Sequence, residues 1–406
     1  MKLNWNDSRK PQAVVIGLNI NGLGTVRALG RKGIPVIALA HGNKEPSEYT
    51  KYCEKIVLED LYTSEHNLLS HLVEIGKKLP SKSVVFPAGD LPLLILSKNR
   101  KILEEYYYFP FPEDNIVRLI NDKVLFYNFA YDNGFPIAKT YFPDNREDAE
   151  RVADEITYPC IIKPHIAFVK WRKKGLKLLQ ADDKSELLEK YEFGYNIADK
   201  LVIQEVIPGP DSALYFSLTY FNRQIKPLVM FTGRKLRQYV PHFGISSMAQ
   251  SVWCQEIADK TVQILKKIGY SGYANIEFKK DPRDNVFKIT EITGRTWYPH
   301  ALSERCGINI PYIAYCDLLG MELRNIPNSF LEDAKWIDEA GDFLSASIYW
   351  RRGELSITDW IKSYKGKRFY AIFSRDDPKP GIIFIIYYSS LLIRKCIARI
   401  LKVVKK

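Results

Sequence analysis

Alternating apolar and polar residues predict a β-hairpin between residues 273 and 292. Residues 273–279 alternate and are rich in β-forming side chains, residues 281–285 (DPRDN) are turn formers, and the alternation then resumes. Each predicted strand carries one acid, Glu277 on the first and Glu291 on the second. Because facing residues of antiparallel strands lie close together, the pattern predicts two carboxylates on one side of the hairpin.

Two carboxylates held so close repel each other unless a cation lies between them. Hard oxygen ligands of this kind suit Mg²⁺, and in particular Mg²⁺ that carries nucleotide phosphates. Arg295 follows Glu291 closely in the sequence and is within reach of a phosphoryl group on that metal. The alternative is that Glu277 and Glu291 are solvated residues on the open face of the hairpin.

The apolar pattern at the N-terminus predicts a βαβ unit that opens a doubly wound domain. A buried-type strand over residues 13–16 precedes a glycine-rich turn over residues 17–24, a helix over residues 25–32 and a second strand. Arg27 stands where a dinucleotide fingerprint needs its third small residue, and the second strand ends at His41 instead of an acid. The glycines are therefore interpreted as structural, with a nicotinamide site as the alternative.

A third strand over residues 83–86 leads into the turn Pro-Ala-Gly-Asp, which ends at Asp90. This turn lies at the carboxyl end of a strand, where open α/β sheets place their ligands. Asp90 is interpreted either as a contact for a substrate amine or as the N-cap of the next helix.

Beyond residue 116, the pattern predicts helices and strands that carry isolated lysines. An aromatic-rich helix over residues 121–133 contains Lys123, and an apolar strand over residues 158–164 closes with Lys163. A lysine at the end of a buried strand is unusual unless it has an anionic partner. The basic stretch 168–177 (FVKWRKKGLK) predicts a turn that closes over an anion or is simply solvated.

Length and composition narrow the class of protein. The chain has 406 residues, which indicates two or three domains, and its 46% hydrophobic content is that of a folded protein. The net charge of +12 is compatible with nucleic acid, anionic membrane or phosphorylated small molecules. The six cysteines include no CxxC pair, which argues against a zinc site or a disulfide framework. Without a signal-peptide core or a long uninterrupted apolar run, a cytoplasmic location is expected.

The C-terminal residues 381–406 predict a basic amphipathic helix. Residues 381–388 are mostly apolar, and after them the apolar and basic residues separate onto opposite sides at 100° per residue. Such a helix suits an anionic membrane surface at the cytoplasmic face. The alternative is a terminal helix whose apolar face packs on its own body or on a second subunit of a homodimer.

Taken in order, these motifs resemble the ATP-grasp superfamily, and within it the carboxylate–amine ligases, the group that includes D-aspartate ligase. The resemblance spans roughly residues 13–320 and is carried by ordered segments. They are FPAGD, NDK with GFPIAKT, QEVIPGPD, GRKLRQYVPHFG and ITGRTWYPHALSERCGINIPYIAY. It implies an α/β protein with an ATP-grasp fold after a Rossmann-like pre-ATP-grasp domain. The expected segments are 1–115 (pre-ATP-grasp), 116–325 (ATP-grasp, with a lid over about 138–203), 326–380 (small extension) and 381–406 (tail helix).

The resemblance also implies an ATP- and Mg²⁺-dependent (or Mn²⁺-dependent) ligase. It would activate a small-molecule carboxylate as an acyl-phosphate and join it to an amine, with no nucleic-acid partner. The resemblance implies that Lys123 and Lys163 bind phosphate and that Asp211 binds the ribose. Adenine binding would follow the backbone of Gln204, Glu205, Val206 and Ile207. Glu277, Glu291 and Thr293 would bind the metal, and Arg295 would contact the transferred phosphoryl group. Lys235 or Arg237, which share a strand face, would contact the carboxylate or a phosphate, a solvated strand face being the alternative.

One position departs from the family. Relatives usually carry Glu-x-Asn-x-Arg, whereas Thr293 stands at the middle position of this chain. A hydroxyl is a shorter and weaker ligand than an amide carbonyl, which leaves the second metal ion open. Three other functions therefore remain: a non-catalytic nucleotide-binding protein, an ATP-grasp enzyme with another acceptor such as bicarbonate, and a nicotinamide-dependent reductase.

Overall fold

The computed structural model describes residues 10–43, 45–59, 61–62, 64–166, 171, 176–198, 200–323 and 326–389. The chain divides into two compact units, the first comprising Met1–Pro110, Leu236–Val252 and Arg295–Lys406, and the second Phe111–Lys235 and Trp253–Gly294. Each unit is thus assembled from separate stretches of sequence, whereas the four predicted segments are each contiguous. The boundaries of those segments stay a prediction.

The first unit opens with a parallel five-stranded sheet in the order β3-β2-β1-β4-β5. Its strands are β1 (Ala13–Ile16), β2 (Val36–Ala40), β3 (Glu54–Val57), β4 (Ser83–Pro87) and β5 (Tyr107–Tyr108). Its helices are α1 (Ile20–Gly30), α2 (Glu65–Lys78), α3 (Asp90–Lys98) and α4 (Arg100–Leu103), with a 3-10 helix at Pro46–Tyr49. Strands β1 and β2 are buried along their whole length, as is typical of parallel strands. The predicted βαβ opening is confirmed.

Helix α1 begins earlier than the predicted start near residue 25. The reason is local: Asn19 is its N-cap, and the Asn19 side-chain oxygen accepts a hydrogen bond from the Gly22 N–H at 3.1 Å. A Cβ atom on Gly22 would lie 1.8 Å from the Gly17 carbonyl oxygen, so only glycine permits this close passage of the chain. This contact supports the structural interpretation of the glycine-rich turn.

The described part of the second unit contains two antiparallel sheets. The first has the order β6-β9-β7-β8, with strands β6 (Thr140–Tyr141), β7 (Cys160–Pro164), β8 (Leu179–Ala181) and β9 (Leu201–Glu205). In the second, β10 (Leu214–Phe221) lies between β11 (Pro227–Tyr239) and β13 (Gly272–Lys280), and β14 (Phe287–Thr293) is the edge beyond β13. The end of β11 and all of β12 (Ile245–Ser251) belong to the first unit.

Five helices of the second unit accompany these sheets. They are α5 (Asp114–Asn121), α6 (Lys123–Asp132), α7 (Arg146–Glu155), α8 (Lys184–Tyr195) and α9 (Gln255–Ile268), with a 3-10 helix at Asp211–Ala213. The single helix predicted over residues 121–133 is wrong, because the chain breaks at Asp122. The Asp122 carboxylate accepts the N–H groups of Val124 and Leu125, at 2.9 and 3.3 Å, and so starts a new helix at Lys123.

Each sheet of the second unit covers its own hydrophobic core. One core joins the apolar side of β13 and β14 to helix α9 through Ile276, Phe278, Ile292 and Ile264. The other joins the smaller sheet to helices α7 and α8 and includes the fully buried Trp171. The apolar residues of the predicted hairpin therefore face a core, which leaves its alternate residues on the opposite face.

The C-terminal part of the first unit is a small mixed structure. Its helices are α10 (Ala301–Arg305), α11 (Ile310–Leu318), α12 (Glu339–Arg351) and α13 (Ile357–Ser363), and its strands are β15 (Lys335–Ile337) and β16 (Arg368–Tyr370). Strand β15 pairs antiparallel with β12 and parallel with β16. Residues 379–389 are helical, whereas the remainder of the predicted tail helix, 390–406, lies outside the described residues. No helix in the described part of the chain combines the length and apolarity needed to cross a bilayer.

A buried ion pair fixes the segment around residues 371–377 to helix α1. Arg27 Nε donates to Asp377 Oδ2 at 2.9 Å, and its two terminal nitrogens donate to the carbonyls of Ala371 and Ile372 at 3.0 and 2.8 Å. Asp377 is 0% exposed and also accepts a bond from Thr50 Oγ1 at 2.6 Å. The end of the predicted small extension, residues 326–380, is thus held in the first unit by a buried ion pair.

Candidate functional site

The hairpin of β13 and β14 places the two predicted metal-binding acids opposite each other. In the antiparallel register Glu277 pairs with Glu291, and Asn275 pairs with Thr293. The register shifts after Glu277, where Thr290 is the extra residue of a bulge and its hydroxyl donates to the Glu277 carbonyl at 3.2 Å. Glu277 is buried, at 6% exposure, whereas Glu291 is exposed. The alternating pattern therefore predicted the pairing of the acids correctly.

Glu277 is held by a lysine from the middle of the same sheet. Lys235 on β11 donates to Glu277 Oε2 at 2.7 Å, and the side chains of Lys235 and Glu277 are only 4% and 8% exposed. A carboxylate buried to this extent needs a cation, and Lys235 supplies one. The predicted substrate-binding lysine thus has a structural partner inside the proposed metal site.

Two further residues on this face carry polar atoms without partners. Both amide atoms of Asn275 and the hydroxyl of Thr293 are buried and make no hydrogen bond within the described part of the chain. Asn275 is 0% exposed and Thr293 5%. Asn275 is not among the predicted site residues, although its position two residues before Glu277 places it on the same face of β13.

Lys163 lies in a polar cluster beside the hairpin. Its ammonium donates to the Tyr127 hydroxyl at 3.0 Å and to Gln204 Oε1 at 2.9 Å, and the Tyr127 hydroxyl donates to the Thr290 carbonyl at 3.0 Å. Burial lowers the pKa of Lys163 to about 8, an effect that the charge of Glu291 partly offsets. Lys163 therefore lies within the electrostatic field of Glu291.

Tyr127 connects the second predicted phosphate-binding lysine to this cluster. Burial raises the pKa of Tyr127 to about 12, the charge of Lys123 acts in the opposite direction, and that of Glu291 adds to the increase. Lys123 is the first residue of helix α6, and its own N–H donates to the His165 carbonyl at 2.8 Å. The fold thus brings Lys123, Lys163 and Glu291 around one tyrosine.

Lys177 is a further cation that interacts electrostatically with the hairpin acids, and the sequence pattern alone does not single it out. Lys177 is exposed to solvent as a residue, whereas desolvation of its ammonium lowers its pKa and the charges of Glu291 and Glu277 act in the opposite direction. Lys177 is the last residue of the basic stretch 168–177, so position alone could have suggested it. Lys170, Arg172, Lys173 and Lys174, the residues of that stretch predicted to close over a ligand, lie outside the described residues.

The predicted adenine edge follows β9. The N–H of Glu205 donates to the Lys139 carbonyl at 3.0 Å, and that of Val206 donates to the Pro159 carbonyl at 3.1 Å. The Glu205 carboxylate accepts two bonds from Arg283, at 2.9 and 3.0 Å. These backbone N–H groups and this carboxylate therefore hold the fold together. The Gln204 side chain is also engaged, because it accepts from Lys163 and donates to Thr140 Oγ1 at 2.7 Å. The backbone around Ile207 is left as the better candidate for nucleotide contact.

Asp211 opens the 3-10 helix that follows this edge, and its side chain is buried, at 6% exposure. Desolvation lowers the pKa of Lys279, and the charge of Asp211 acts against that shift. Lys279 lies two residues beyond Glu277 on the same face of β13. Asp211 is therefore in the electrostatic field of the face that carries the hairpin acids.

The other two predicted residues, Arg237 and Arg295, belong to the first unit. Arg237 makes a two-pronged ion pair with Asp342, at 2.8 and 2.9 Å, and Asp342 has a fully buried side chain. This pair accounts for Arg237 without a substrate, because its guanidinium already neutralises a buried carboxylate. Lys235 and Arg237 are two residues apart on one strand and so share a face, as predicted, but each pairs with a different acid.

Arg295 is paired with the other sequence candidate of the first unit. Arg295 Nε donates to Asp90 Oδ1 at 2.5 Å. Asp90 is the first residue of helix α3, and Gly89 is its N-cap, so the predicted N-cap role of Asp90 is wrong by one position. Asp90 instead orients the arginine that the family resemblance assigns to the phosphoryl group.

The residues of the hairpin fit a hard divalent cation. No group of three or more His, Cys, Asp or Glu side chains suited to a metal occurs in the described part of the chain, so carboxylates alone do not complete a site. Glu277 and Glu291, with the unpartnered oxygens of Asn275 and Thr293 beside them, nevertheless form an all-oxygen set. Mg²⁺ accepts such a set because it keeps several waters and needs few protein ligands.

Comparisons with known proteins agree with this reading of the fold. Residues 246–325 match the family model described as carbamoyl-phosphate synthase L chain, ATP binding domain. D-aspartate ligase from Enterococcus faecium (strain Aus0004) is 23% identical over 301 residues, which cover 70% of this chain and 70% of that protein.

Solved structures share the architecture at low identity. The biotin carboxylase domain of 2-oxoglutarate carboxylase from Hydrogenobacter thermophilus, solved as a dimer with MgADP, ADP and bicarbonate, is similar with a TM-score of 0.62 and 18% identity, over 81% of this chain and 74% of that one. L-amino acid ligase from Bacillus licheniformis is similar with a TM-score of 0.59 and 16% identity, over 80% and 76% of the two chains. The chain therefore has the fold of the ATP-grasp proteins, and it is similar to D-aspartate ligase in sequence and to L-amino acid ligase in structure.

Proposed function

We propose that this protein is an ATP- and Mg²⁺-dependent ligase that joins a small-molecule carboxylate to an amine. A carboxylate oxygen of the first substrate attacks the γ-phosphorus of ATP, and ADP leaves with the electrons of the broken P–O bond. The amine nitrogen then attacks the acyl carbon, phosphate departs, and the nitrogen loses a proton to give the amide. The observation that carries this proposal is the pairing of Glu277 with Glu291 in the hairpin, with Lys163 in the field of Glu291.

The side chains of the second unit have distinct tasks under this proposal. Glu277 and Glu291 bind Mg²⁺, which when bound screens the phosphate charges and helps to align them. Lys123, Lys163 and Lys177 neutralise the triphosphate as point charges. Lys235 holds Glu277 in position through its 2.7 Å ion pair. Electrostatic positioning of this kind is the main contribution of proteins to phosphoryl transfer.

The remaining assignments follow the same scheme. Gln204 and Ile207 border the adenine, and Asp211 accepts hydrogen bonds from the ribose hydroxyls. Arg295 stabilises the transferred phosphoryl group and the acyl-phosphate, since a guanidinium matches phosphoryl oxygens in a bidentate manner. Its partner Asp90 fixes the side chain of Arg295 in one orientation.

A second candidate function is an ATP-grasp enzyme whose acceptor is bicarbonate. It is motivated by the biotin carboxylase domain solved with bicarbonate and by the carbamoyl-phosphate synthase family model. The two functions predict different acceptors for the same phosphoryl group, so the identity of the acceptor separates them.

The test is ADP formation by the full-length protein with Mg²⁺ and ATP. Pairs of amino acids or sugar acids with amines are screened, with bicarbonate as a separate arm. We expect ADP and phosphate to appear together only when a carboxylate is present, and an amide product when the amine is added. ADP release that depends on bicarbonate alone supports the second candidate, and tight ATP binding without turnover on any pair supports a non-catalytic protein. NADH, in place of ATP, should not raise the melting temperature.

We also propose that the C-terminal tail attaches the enzyme to anionic membrane at the cytoplasmic face. Residues 379–389 are helical and expose Ile382, Ile385 and Ile386, and six basic residues lie between 394 and 406. Each basic side chain near an anionic surface contributes about 1 kcal/mol. Full-length protein should therefore float with liposomes rich in anionic lipid at low salt, and less so as the salt concentration rises.

The matched control for this experiment is the chain truncated after Pro380. Equal flotation of the truncated and full-length proteins, or none by either, would show that the tail does not bind membrane. Sedimentation of both forms adds a second readout, because a tail that instead packs between two copies would make the full-length protein a homodimer and the truncated protein a monomer.

A further inference from the structure

Helices α12 and α13 form an apolar groove on the surface of the first unit. Its walls are Phe343 and Trp350 of α12, Leu355 of the connecting turn, and Ile357 and Trp360 of α13. The rings of Phe343 and Trp360 lie 6.1 Å apart between centroids. Phe343, Trp350 and Ile357 are 60%, 56% and 55% exposed, so more than half of each large apolar side chain is left in water. A cluster of exposed apolar residues of this kind marks a binding surface.

The groove is a fixed part of the fold. Asp342 of α12, which is 0% exposed, accepts a hydrogen bond from Trp360 Nε1 at 3.0 Å and another from the Tyr364 hydroxyl at 2.6 Å. The charge of the same carboxylate is neutralised by Arg237. Because this buried network ties α13 to α12, the two helices present their exposed apolar side chains in a set arrangement.

The residues beside the groove carry a positive charge. Between residues 343 and 370 the chain has six exposed basic residues and two acidic ones, which gives a net charge of +4. The basic residues are Arg351, Arg352, Lys362, Lys365, Lys367 and Arg368. The two acids are paired within this set, Glu354 with Arg352 at 4.0 Å and Asp359 with Lys362 at 3.7 Å. The surface therefore favours an anionic partner.

The charge argues against the two occupants that the chain itself could supply. A second copy in a two-fold dimer would place the groove against itself, and two surfaces of the same positive charge repel each other. The tail meets the same repulsion, because six basic residues lie between 394 and 406. An anionic bilayer instead offers negative headgroups to the basic residues and an apolar layer to the aromatic ones. Tryptophan is enriched at membrane–water interfaces for this reason.

We infer that the surface formed by α12 and α13 rests on an anionic bilayer, with Phe343, Trp350, Ile357 and Ile361 in the headgroup region and the basic residues beside them against the lipid phosphates. Ile361 belongs to this surface because it is 63% exposed and lies four residues from Ile357 on α13. The contact is separate from that proposed for the tail and does not depend on the ligase reaction. Since it is made by the folded body, it fixes which side of the first unit faces the bilayer.

Tryptophan fluorescence of the full-length protein tests this inference, because residues 381–406 contain no tryptophan. Quenching by lipids brominated on their acyl chains therefore reports on the body of the protein and not on the tail. With vesicles of phosphatidylglycerol and phosphatidylcholine at low salt, we expect brominated lipid to quench part of the emission. Trp350→Phe should remove most of that quenching. Trp253→Phe is the matched control: it changes another exposed tryptophan, at 41% exposure, and should leave the quenching intact.

The strength of binding to the same vesicles is a second readout. The double variant Trp350→Ser with Ile361→Ser should weaken binding at least about tenfold, since burial of one large apolar side chain alone is worth about that factor. Ile102→Ser truncates a similarly exposed isoleucine elsewhere in the first unit, at 52% exposure, and should bind as the wild type does. The melting temperature and ADP formation should stay unchanged in all these variants, because the substituted residues are exposed and lie outside the proposed ATP site.

Several results would overturn the inference. Vesicle binding without quenching would confine the contact to the tail, and full quenching in Trp350→Phe would move the contact elsewhere on the body. A dimer that forms without vesicles and is lost in the double variant would make the surface an interface between two copies. Should the double variant not fold, by circular dichroism, Arg351→Glu replaces it, and flotation of Arg351→Glu equal to that of the wild type counts against the inference. ADP formation is measured separately, so each of these results leaves the proposed ligase function standing.

Discussion

Replacement of Glu291 by glutamine should abolish ADP formation and leave the fold intact. The substitution keeps the size of the side chain but removes one of the two charges that face each other across β13 and β14. Hard cations bind carboxylates far better than neutral amides in such sites, and a bound metal supplies several kcal/mol of charge stabilisation in phosphoryl transfer. We therefore expect a loss of about a thousandfold or more in rate, measured as ADP release under the conditions that support wild-type turnover.

The melting temperature of Glu291→Gln should match that of the wild type, because Glu291 is exposed. Glu189→Gln on helix α8 is the matched control: it also neutralises an exposed acid of the second unit, and it should retain full activity. A third readout is independent of turnover. Since the charge of Glu291 raises the pKa of Lys163, the substitution should lower that pKa further. Full activity in Glu291→Gln would exclude the hairpin as the metal site.

Replacement of Lys163 by alanine should weaken ATP binding by about 2–3 kcal/mol, or roughly 30- to 150-fold, because it removes a partly buried, charge-assisted contact. The Lys163 ammonium already bonds to Tyr127 and Gln204, so its position is fixed before the nucleotide arrives. Calorimetric titration with a non-hydrolysable ATP analogue measures the change. If Lys163→Ala bound the ATP analogue with unchanged affinity, Lys163 would be only a structural residue near the end of β7.

The pKa of Lys163 adds a pH dependence to this prediction. Burial lowers that pKa to about 8, so the free protein carries the Lys163 charge below pH 8 and loses it above. The affinity for the anionic nucleotide should therefore fall as the pH rises through about 8. Lys163→Arg serves as the control, because a guanidinium stays charged over this range and should flatten the profile.

Lys235 and Arg237 illustrate a limit of reasoning from periodicity. The two cations are two residues apart on β11, and the sequence predicts correctly that their side chains share a face. Lys235 nevertheless pairs with Glu277, whereas Arg237 pairs with Asp342. Their acidic partners are 42 and 105 residues away along the chain. The period of a strand gives the direction of a side chain but not the charge that it meets.

The sequence alone determined the hairpin and the pairing of its acids. Alternation fixes which residues face the core, and the cluster of turn formers at 281–285 fixes where the chain reverses, so the facing of Glu277 and Glu291 follows from local rules. Local signals were also sufficient for the βαβ opening. Where local prediction failed, as at Asp122, a side-chain cap had been missed, which is again a local feature.

Only the tertiary structure decided which buried polar groups are satisfied. Arg27 looks from the sequence like an ordinary helix residue, yet it pairs with Asp377, 350 residues away. Asn275 looks like an ordinary strand residue, yet its side chain finds no hydrogen-bond partner among the residues that the structure describes. The physical reason is that burial makes each polar group depend on a particular neighbour, and that neighbour is set by the path of the whole chain. Hydrophobic periodicity indicates which face of a helix or strand is buried, but it does not indicate which residues pack against that face.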